Sequence, residues 1–367
     1  MGLSIPADPS LPHGGRYFPR SDFLAHRRPG WTAMIKLSSA RVLPTETGND
    51  ENLQAAALSH GLCLLRVHGQ EFEDMPVRWD WSLLPGSTQV AGRPAEIPWD
   101  ITKFSPMQPC LGEYTGGVAT CSGSLAVHDM KVEGLHVLKY WFAAHKGIAS
   151  ITHVMASRDN KEPVRTCVIA QNRRGAIHVY PDRNGGPSQG GVVPSCQAIW
   201  HDDVLWIFPN RPTIEVRLDC RSGTWWDITR AYGHEKTAPA ELLEVWANTP
   251  LNTVLRWIAI PMHHRIDTPP SDLPLDLLSG DAWSACWWPG QQLLQLVFLD
   301  IAEASGPWGT VAVSAPVVLQ IDRTACTLHV AGLGPRIGNV SIAIDGRTYD
   351  LAMPDGENKG FAVTLPL

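Results

Sequence analysis

Trp31-Thr32-Ala33-Met34-Ile35-Lys36-Leu37 alternates with a period of two, with Trp31, Ala33, Ile35 and Leu37 on one side and Thr32, Met34 and Lys36 on the other. Successive side chains of an extended chain point to opposite faces, so this is the pattern of a strand with one face in a core. Similar runs follow at 61–68, 147–156, 164–170, 176–180, 196–200, 204–208, 213–219 and 254–260. Turn signals separate them: Gly185-Gly186, Asp202-Asp203 and Ser222-Gly223. Helical periodicity is confined to 50–58, Asp50 to Leu58, little more than two turns. The fold class read from this pattern is all-β and antiparallel.

Residues 1–25, rich in Pro, Gly and Arg, read as an extended lead-in, and 26–262 as a large central β domain. Residues 263–281 hold three prolines and four aspartates and read as a linker. A smaller β-sandwich at 282–367 follows, with strands near 291–301, 309–321, 325–331 and 338–344. Asp345-Gly346 is a type I′ hairpin signal that closes 340–344 onto 347–352.

The chain has 367 residues, enough to bury roughly 75% of its unfolded surface without metal or disulfide. Its net charge of −6 provides no broad basic field of the kind that drives nucleic-acid binding. No apolar run approaches the ~18 residues of a membrane-spanning helix. The eight cysteines include no C-x-x-C pair and read as free, mostly buried thiols. The start shows no signal-peptide pattern. Nucleotide loops, G-x-S-x-G and H-E-x-x-H are absent, and nothing points to a cofactor.

Four constellations carry possible chemistry. Gly48-Asn49-Asp50-Glu51-Asn52 places amides and carboxylates on a turn entering the 50–58 segment, where Asn49 or Asp50 would also serve as an N-cap. Pro76-Val77-Arg78-Trp79-Asp80-Trp81 puts Trp79 and Trp81 on one face if it is a strand, to stack on sugar rings or to fill a core corner. Arg16, Arg20, His26, Arg27 and Arg28 form a basic group that can meet an acidic polymer or remain a solvated arm. His201-Asp202-Asp203 and His263-His264 contain metal-ligand residue types, but His-Asp-Asp fits a hairpin turn and adjacent histidines in a strand point apart, so no metal site is assigned.

Taken in order, His26-Arg27-Arg28-Pro29-Gly30-Trp31, Ser38-Ser39-Ala40-Arg41, Gly48 to Asn52, Gly61-Leu62, Glu71-Phe72-Glu73-Asp74, Pro76 to Trp81 and Leu84-Pro85-Gly86-Ser87-Thr88 resemble the central β region of polysaccharide lyase family 8, the chondroitin AC, hyaluronate and xanthan lyases. Tyr114-Thr115-Gly116-Gly117-Val118 looks like the family's glycine-rich strand, Leu138-Lys139-Tyr140-Trp141-Phe142 like its Lys-x-Trp-Phe strand, and Thr166 to Asn172 like its Thr-x-x-Asn-Gln region. Trp246 and Trp257 to Pro261 fit the end of that region. The likeness spans about 15–262 well and 280–367 weakly; the ordered set, not any single motif, carries it.

The resemblance implies an antiparallel β supersandwich followed by a small C-terminal β-sandwich. It also implies β-elimination on an acidic, uronate-containing polysaccharide such as a glycosaminoglycan, an exported protein (extracellular or periplasmic), and an N-terminal α/α toroid bearing the catalytic Tyr, His and Arg. The family's Asn-x-Glu-Asn turn maps onto Glu51 and Asn52 as catalytic candidates, with Asn49, Arg28, Trp79 and Trp81 as substrate-binding candidates. No helical toroid precedes residue 26, so the isolated chain is expected to be inactive and to need a toroid as partner. The alternative reading is a non-catalytic carbohydrate-binding or scaffolding β module.

Overall fold

The computed structural model describes residues 13–42, 45, 47–92, 110–157, 163–180, 190–335 and 338–367. Among them the strands assemble into five antiparallel sheets. The centre is an eight-stranded sheet, in the order His178–Tyr180, Ala198–His201, Val204–Ile207, Val254–Pro261, Gly147–Ser157, Leu135–Ala144, Ser124–Val132 and Gly116–Ala119. The short strand Val204–Ile207 shows why it sits there. Val204 and Trp206 enter one core with Trp31, Ile35, Ile169 and Val245, whereas Leu205 and Ile207 enter a second core with Trp288, Leu293 and Val297. A strand covered on both faces needs no polar side, so its sequence is continuously apolar rather than alternating.

Two sheets cover one face. One is four-stranded, Gly14–Phe18, Phe23–Arg28, Trp31–Lys36 and Leu62–Arg66; the other is five-stranded, Gly191–Val193, Ile214–Arg221, Ala240–Asn248, Val164–Asn172 and Thr88–Val90. The opposite face meets a six-stranded sheet that starts with Asp276–Ser279 and Trp283–Trp288 and continues through Leu293–Phe298, Val317–Asp322, Thr327–Gly332 and Val363–Pro366. Leu294, Leu296 and Phe298 turn the other way, into a third core against the four strands Ala302–Gly306, Gly309–Val313, Asn339–Ile344 and Arg347–Ala352. The molecule is therefore a stack of sheets in which inner layers are apolar on both sides.

Polar groups seal the contact between the two sandwiches. Gln295 is fully buried, and its amide nitrogen faces the carbonyl oxygens of Ser124 at 3.0 Å and Ala143 at 3.2 Å and the side-chain oxygen of Gln320 at 3.0 Å. Its own side-chain oxygen accepts from the Trp288 indole N–H at 3.0 Å. The layers are so close here that a Cβ at Gly123 would lie 2.8 Å from the Gln295 amide nitrogen.

Several expectations need correction. The extended lead-in contains the strand Gly14–Phe18 and the first half of Phe23–Arg28, paired edge to edge. The stretch read as a linker contains Asp276–Ser279, an edge strand of the six-stranded sheet. The 309–321 run is two strands in different sheets, interrupted near Pro316, which has no N–H for a ladder. The helix expected at 50–58 is a single 3-10 turn, Ala55–Ala57, with no side-chain cap. Three buried alanines supply too little apolar area to extend it further. The Gly185-Gly186 loop lies outside the described residues. All eight cysteines are free, five of them buried.

Candidate functional site

The Glu51 turn lies in the connection between strands Trp31–Lys36 and Leu62–Arg66. Glu51 N–H donates to the Gly48 carbonyl at 2.9 Å, and the two residues form an isolated bridge. The central residues Asn49 and Asp50 have φ of 52° and 61°, both left-handed, which makes this a type I′ turn. Asn52 follows at φ 55°. Asn and Asp tolerate this region better than other side chains because their short polar groups bond locally. Thr47 Oγ1 closes the turn from below by donating to the Asn52 carbonyl at 2.9 Å. Asn49 and Asp50 are therefore turn residues, not helix caps; Gln54 precedes the 3-10 turn. Asn49, Asp50, Glu51 and Asn52 are all exposed.

Trp79 and Trp81 support this connection. The 76–81 stretch forms a 3-10 turn, Met75–Val77, and a following loop, not the strand that a shared face requires. The two indoles meet edge to face, with centroids 5.6 Å apart at 88°. Trp79 Nε1 donates to the Ala170 carbonyl at 3.3 Å, and Trp81 Nε1 to the Pro76 carbonyl at 3.2 Å. Both rings pack with Ala57, Leu62 and Leu84, directly under the segment that follows Glu51. Their half-buried rings fill a core corner.

A buried ionic knot holds that corner to the five-stranded sheet. Glu244 is fully buried and accepts from Arg217 and from both terminal nitrogens of Arg221, at 3.0 and 2.7 Å. Arg217 also reaches Asp80 at 2.8 Å. Burial alone would raise the Asp80 carboxyl, but hydrogen bonds from Arg217 and Ser82 outweigh it and hold the group below the usual carboxylate range. Nearby, Glu71 is buried and accepts three backbone N–H groups, from Val67 and His68 at 2.6 Å and Gly69 at 2.7 Å.

Arg28 lies elsewhere, on the four-stranded sheet. Its Nε donates to His26 Nε2 at 3.2 Å, and Nη2 to the Ser122 carbonyl. His26 Nδ1 then faces Ser124 Oγ at 2.8 Å, which fixes the tautomer with the proton on Nδ1. Arg28 thus braces the 120–124 turn and is not brought to the Glu51 turn. His201-Asp202-Asp203 is a hairpin turn, with φ of 50° at Asp202 and 60° at Asp203. His201 is buried with Nε2 accepting from Arg174 N–H at 3.3 Å, while Asp203 faces His68 at 3.4 Å and His263 at 3.8 Å. Among the described residues no group of three or more His, Cys, Asp or Glu is arranged to hold a metal ion.

A second surface segment touches the Glu51 turn. The 222–238 loop joins strands Ile214–Arg221 and Ala240–Asn248 and is pinned at its neck by Thr237 N–H donating to the Gly223 carbonyl at 2.8 Å. Arg78 Nη2 donates to the Ala238 carbonyl at 2.8 Å, and a Cβ at Gly223 would sit 1.8 Å from the Val77 carbonyl oxygen, so the loop lies tight on the 75–78 turn. Its crown runs along the Glu51 turn: Arg230 N–H donates to the Asp50 carbonyl at 2.9 Å, and Leu53 N–H to the Ile228 carbonyl at 3.0 Å. Trp225, Trp226, Tyr232 and His234 sit on this crown. The signal was the doublet Trp225-Trp226 followed by Tyr232, which the Ser222-Gly223 turn reading passes over.

Comparison with known proteins agrees with this architecture. The family model "Polysaccharide lyase family 8, super-sandwich domain" matches residues 13–269. Chondroitinase-AC of Pedobacter heparinus is 22% identical over 255 residues, which is 66% of this chain and 35% of that protein. Among solved structures, a chondroitinase AC lyase studied with oligosaccharides superposes with a TM-score of 0.79 at 18% identity, covering 94% of this chain and 52% of its own. A Paenibacillus xanthan lyase gives 0.73 at 16%, covering 90% and 33%, and the Streptomyces coelicolor A3 chondroitin AC lyase gives 0.72 at 21%, covering 90% and 44%. The chain thus spans about a third to a half of these relatives, and among the described residues there is no α-helix of the toroid kind. With an all-β stack of antiparallel sheets and a family match over most of its length, the chain belongs to polysaccharide lyase family 8, as the β region of such a lyase.

Proposed function

We propose that this chain is the β part of a lyase that cleaves uronate-containing polysaccharide by β-elimination, with Glu51 and Asn52 on the cleft edge. The remaining catalytic groups come from an α/α toroid, carried in the same polypeptide or by a partner. In this reaction a base removes the C5 proton of the uronate, the electron pair forms the C4–C5 double bond, and the glycosidic oxygen leaves C4 with a proton. The C5 proton becomes acidic enough only when the neighbouring carboxylate is neutralised by hydrogen bonds or positive charge.

The observation that carries this reading is an exposed acid and amide on a rigid turn, held from both sides by backbone hydrogen bonds. Glu51 orients and charge-balances a cationic or proton-carrying group of the toroid, and the Asn52 amide donates toward the uronate carboxylate. Neither removes the C5 proton, since one acid and one amide do not provide the base and acid that the elimination requires. Asn49 acts as a turn residue, and Arg28, Trp79 and Trp81 act through the scaffold.

The test is complementation. The chain is combined with the α/α toroid of a chondroitin AC lyase, and formation of unsaturated uronate is followed by ultraviolet absorbance. The chain alone gives no product, the combination turns over, and Glu51→Gln lowers kcat by about 10²-fold. Product from the chain alone, or unchanged turnover in Glu51→Gln, overturns the assignment. Export of the protein belongs to the same proposal; among the described residues no helix is long and apolar enough to cross a membrane.

A further inference from the structure

We infer that Trp225 and Tyr232, on the 222–238 loop, form a stacking platform for a sugar ring of an acidic polysaccharide, beside the Glu51 turn; the inference deepens the proposed function and rests on it. Tyr232 is 59% exposed, and its ring lies 6.0 Å from that of Trp225 at an interplanar angle of 43°. The neighbouring Trp226 is already covered, by the His234 ring at 4.1 Å and the Arg230 guanidinium at 4.8 Å from its centroid. Trp225 and Tyr232 are thus the pair left to receive a ligand, with the covered Trp226 next in the chain.

Three observations point to a sugar rather than to a core in waiting. First, the aromatic crown is held in place before any ligand arrives. The 3-10 turn Trp225–Asp227 is closed by Ile228 and Thr229 N–H donating to the Trp225 carbonyl at 3.0 and 2.8 Å, and the neck is pinned at Gly223 and Thr237. A rigid aromatic with a polar tip gives large contact area with little ordering cost, which suits the apolar CH face and hydroxyl edge of a pyranose. Second, exposed side chains such as Ile301, Val192 and Leu111 are single aliphatic groups, whereas Tyr232 is paired with Trp225, and the adjacent Trp226 is paired with His234. Third, the crown is hydrogen-bonded on both sides of Glu51, through Asp50 and Leu53, so a polymer lying across that acid passes over the loop. Arg230, exposed at the same edge, places a cation beside the path of a chain of carboxylates.

The test uses the full chain, with chondroitin and xanthan as acidic probes and a neutral glucan as control, in affinity electrophoresis and calorimetry. Trp225→Ala and Tyr232→Ala are each expected to weaken binding of an acidic probe by about 10-fold, while Tyr232→Phe stays within about 2-fold of the parent. Near-ultraviolet circular dichroism and an unchanged urea midpoint report that the variants are folded. If the parent binds and both alanine variants bind equally well, the platform is wrong while the lyase reading stands. If the neutral glucan binds as well as the acidic polymers, the assignment of an acidic substrate is wrong. If the parent binds neither probe, the platform is wrong, and the complementation with Glu51→Gln decides the lyase reading by itself.

Discussion

The backbone N–H of Arg230 donates to the carbonyl oxygen of Asp50 at 2.9 Å, across more than 170 residues of chain. This bond and its neighbour, Leu53 to Ile228, fix the Glu51 turn from the side, while Thr47 fixes it from below. The exposed acid therefore stands on backbone that has little freedom left. The turn achieves this with three left-handed non-glycine residues, Asn49, Asp50 and Asn52, interrupted only by Glu51.

That conformation has a measurable cost. Asn52→Ala removes the residue type that tolerates φ 55°, and destabilisation of about 1 kcal/mol is expected. Asn52→Gly relieves the steric conflict and should leave the urea midpoint near that of the parent, while removing the amide. Comparing the two variants in denaturation and in the complementation assay separates backbone geometry from side-chain chemistry. Equal midpoints for Ala and Gly would show that the left-handed backbone is not under constraint.

Glu71 carries a different kind of weight, because its carboxylate satisfies three N–H groups of the 67–69 bend from a buried position. Glu71→Ala orphans all three, and a loss of about 3 kcal/mol or more is expected in urea unfolding. Glu71→Gln keeps the shape but can accept on one oxygen only, so it should fall between. A cost below about 1 kcal/mol for the alanine variant would mean that water replaces the carboxylate.

Glu244 is the buried centre of the Arg217–Arg221 knot. Replacing it with Leu leaves two guanidinium groups without their shared carboxylate, and about 3–5 kcal/mol of destabilisation is expected. Since Arg217 then loses the partner that positions it on Asp80, proteolysis should begin in the 78–82 and 222–238 loops. Limited proteolysis followed by mass spectrometry checks the order of cleavage.

Stability should depend on pH in two windows. Burial lowers His26 to about 3, assisted by Arg28; it lowers His60 to about 4, assisted by Lys139, and His201 to about 4, assisted by Arg173 and Arg174. Their unfolded values are near 6.5, so between about pH 6.5 and 4 the unfolded chain binds more protons and stability falls with falling pH. Burial lowers Lys139 to about 7, so its contribution increases as pH rises from about 7 toward the unfolded value near 10.4. Burial pushes Cys63 and Cys196 up to about 12, and these thiols act in the opposite sense above about pH 8.5, where only the unfolded chain releases their protons. A stability maximum near pH 8 is expected, and Lys139→Met should flatten the rise between pH 7 and 8.5. Urea midpoints across the range, with no slope below pH 6.5, would contradict the histidine assignment.

Much of the layer arrangement was legible in local periodicity. The Trp31–Leu37 alternation marks a strand with one covered face, and Asp345-Gly346 marks the hairpin between Asn339–Ile344 and Arg347–Ala352, with φ of 47° and 85°. Where a strand is covered on both faces, as at 204–207, alternation vanishes and the sequence no longer says which sheet the strand enters. Position 276–279 was hidden for the opposite reason: Asp276 and Ser279 are exposed on an edge, and prolines nearby imitate a linker. The Glu51 turn was singled out through the ordered resemblance. The 222–238 loop beside it was not, because its contact with the turn rests on backbone bonds, Arg230 to Asp50 and Leu53 to Ile228, between segments far apart in the chain, to which no periodicity refers. For Trp79 and Trp81 the sequence leaves a sugar-stacking strand face and a core corner both open, because alternation over three residues also fits a turn whose indoles meet edge to face.

The buried amide of Gln295 has a thermal consequence. It joins the carbonyl oxygens of the central sheet to Gln320 and Trp288 of the following sandwich from a fully buried position. Parting the two halves would strand several hydrogen-bonding groups at once and uncover the back of the eight-stranded sheet. Neither half then has a melting point of its own: a calorimetric scan should trace one endotherm in which both sandwiches are lost together.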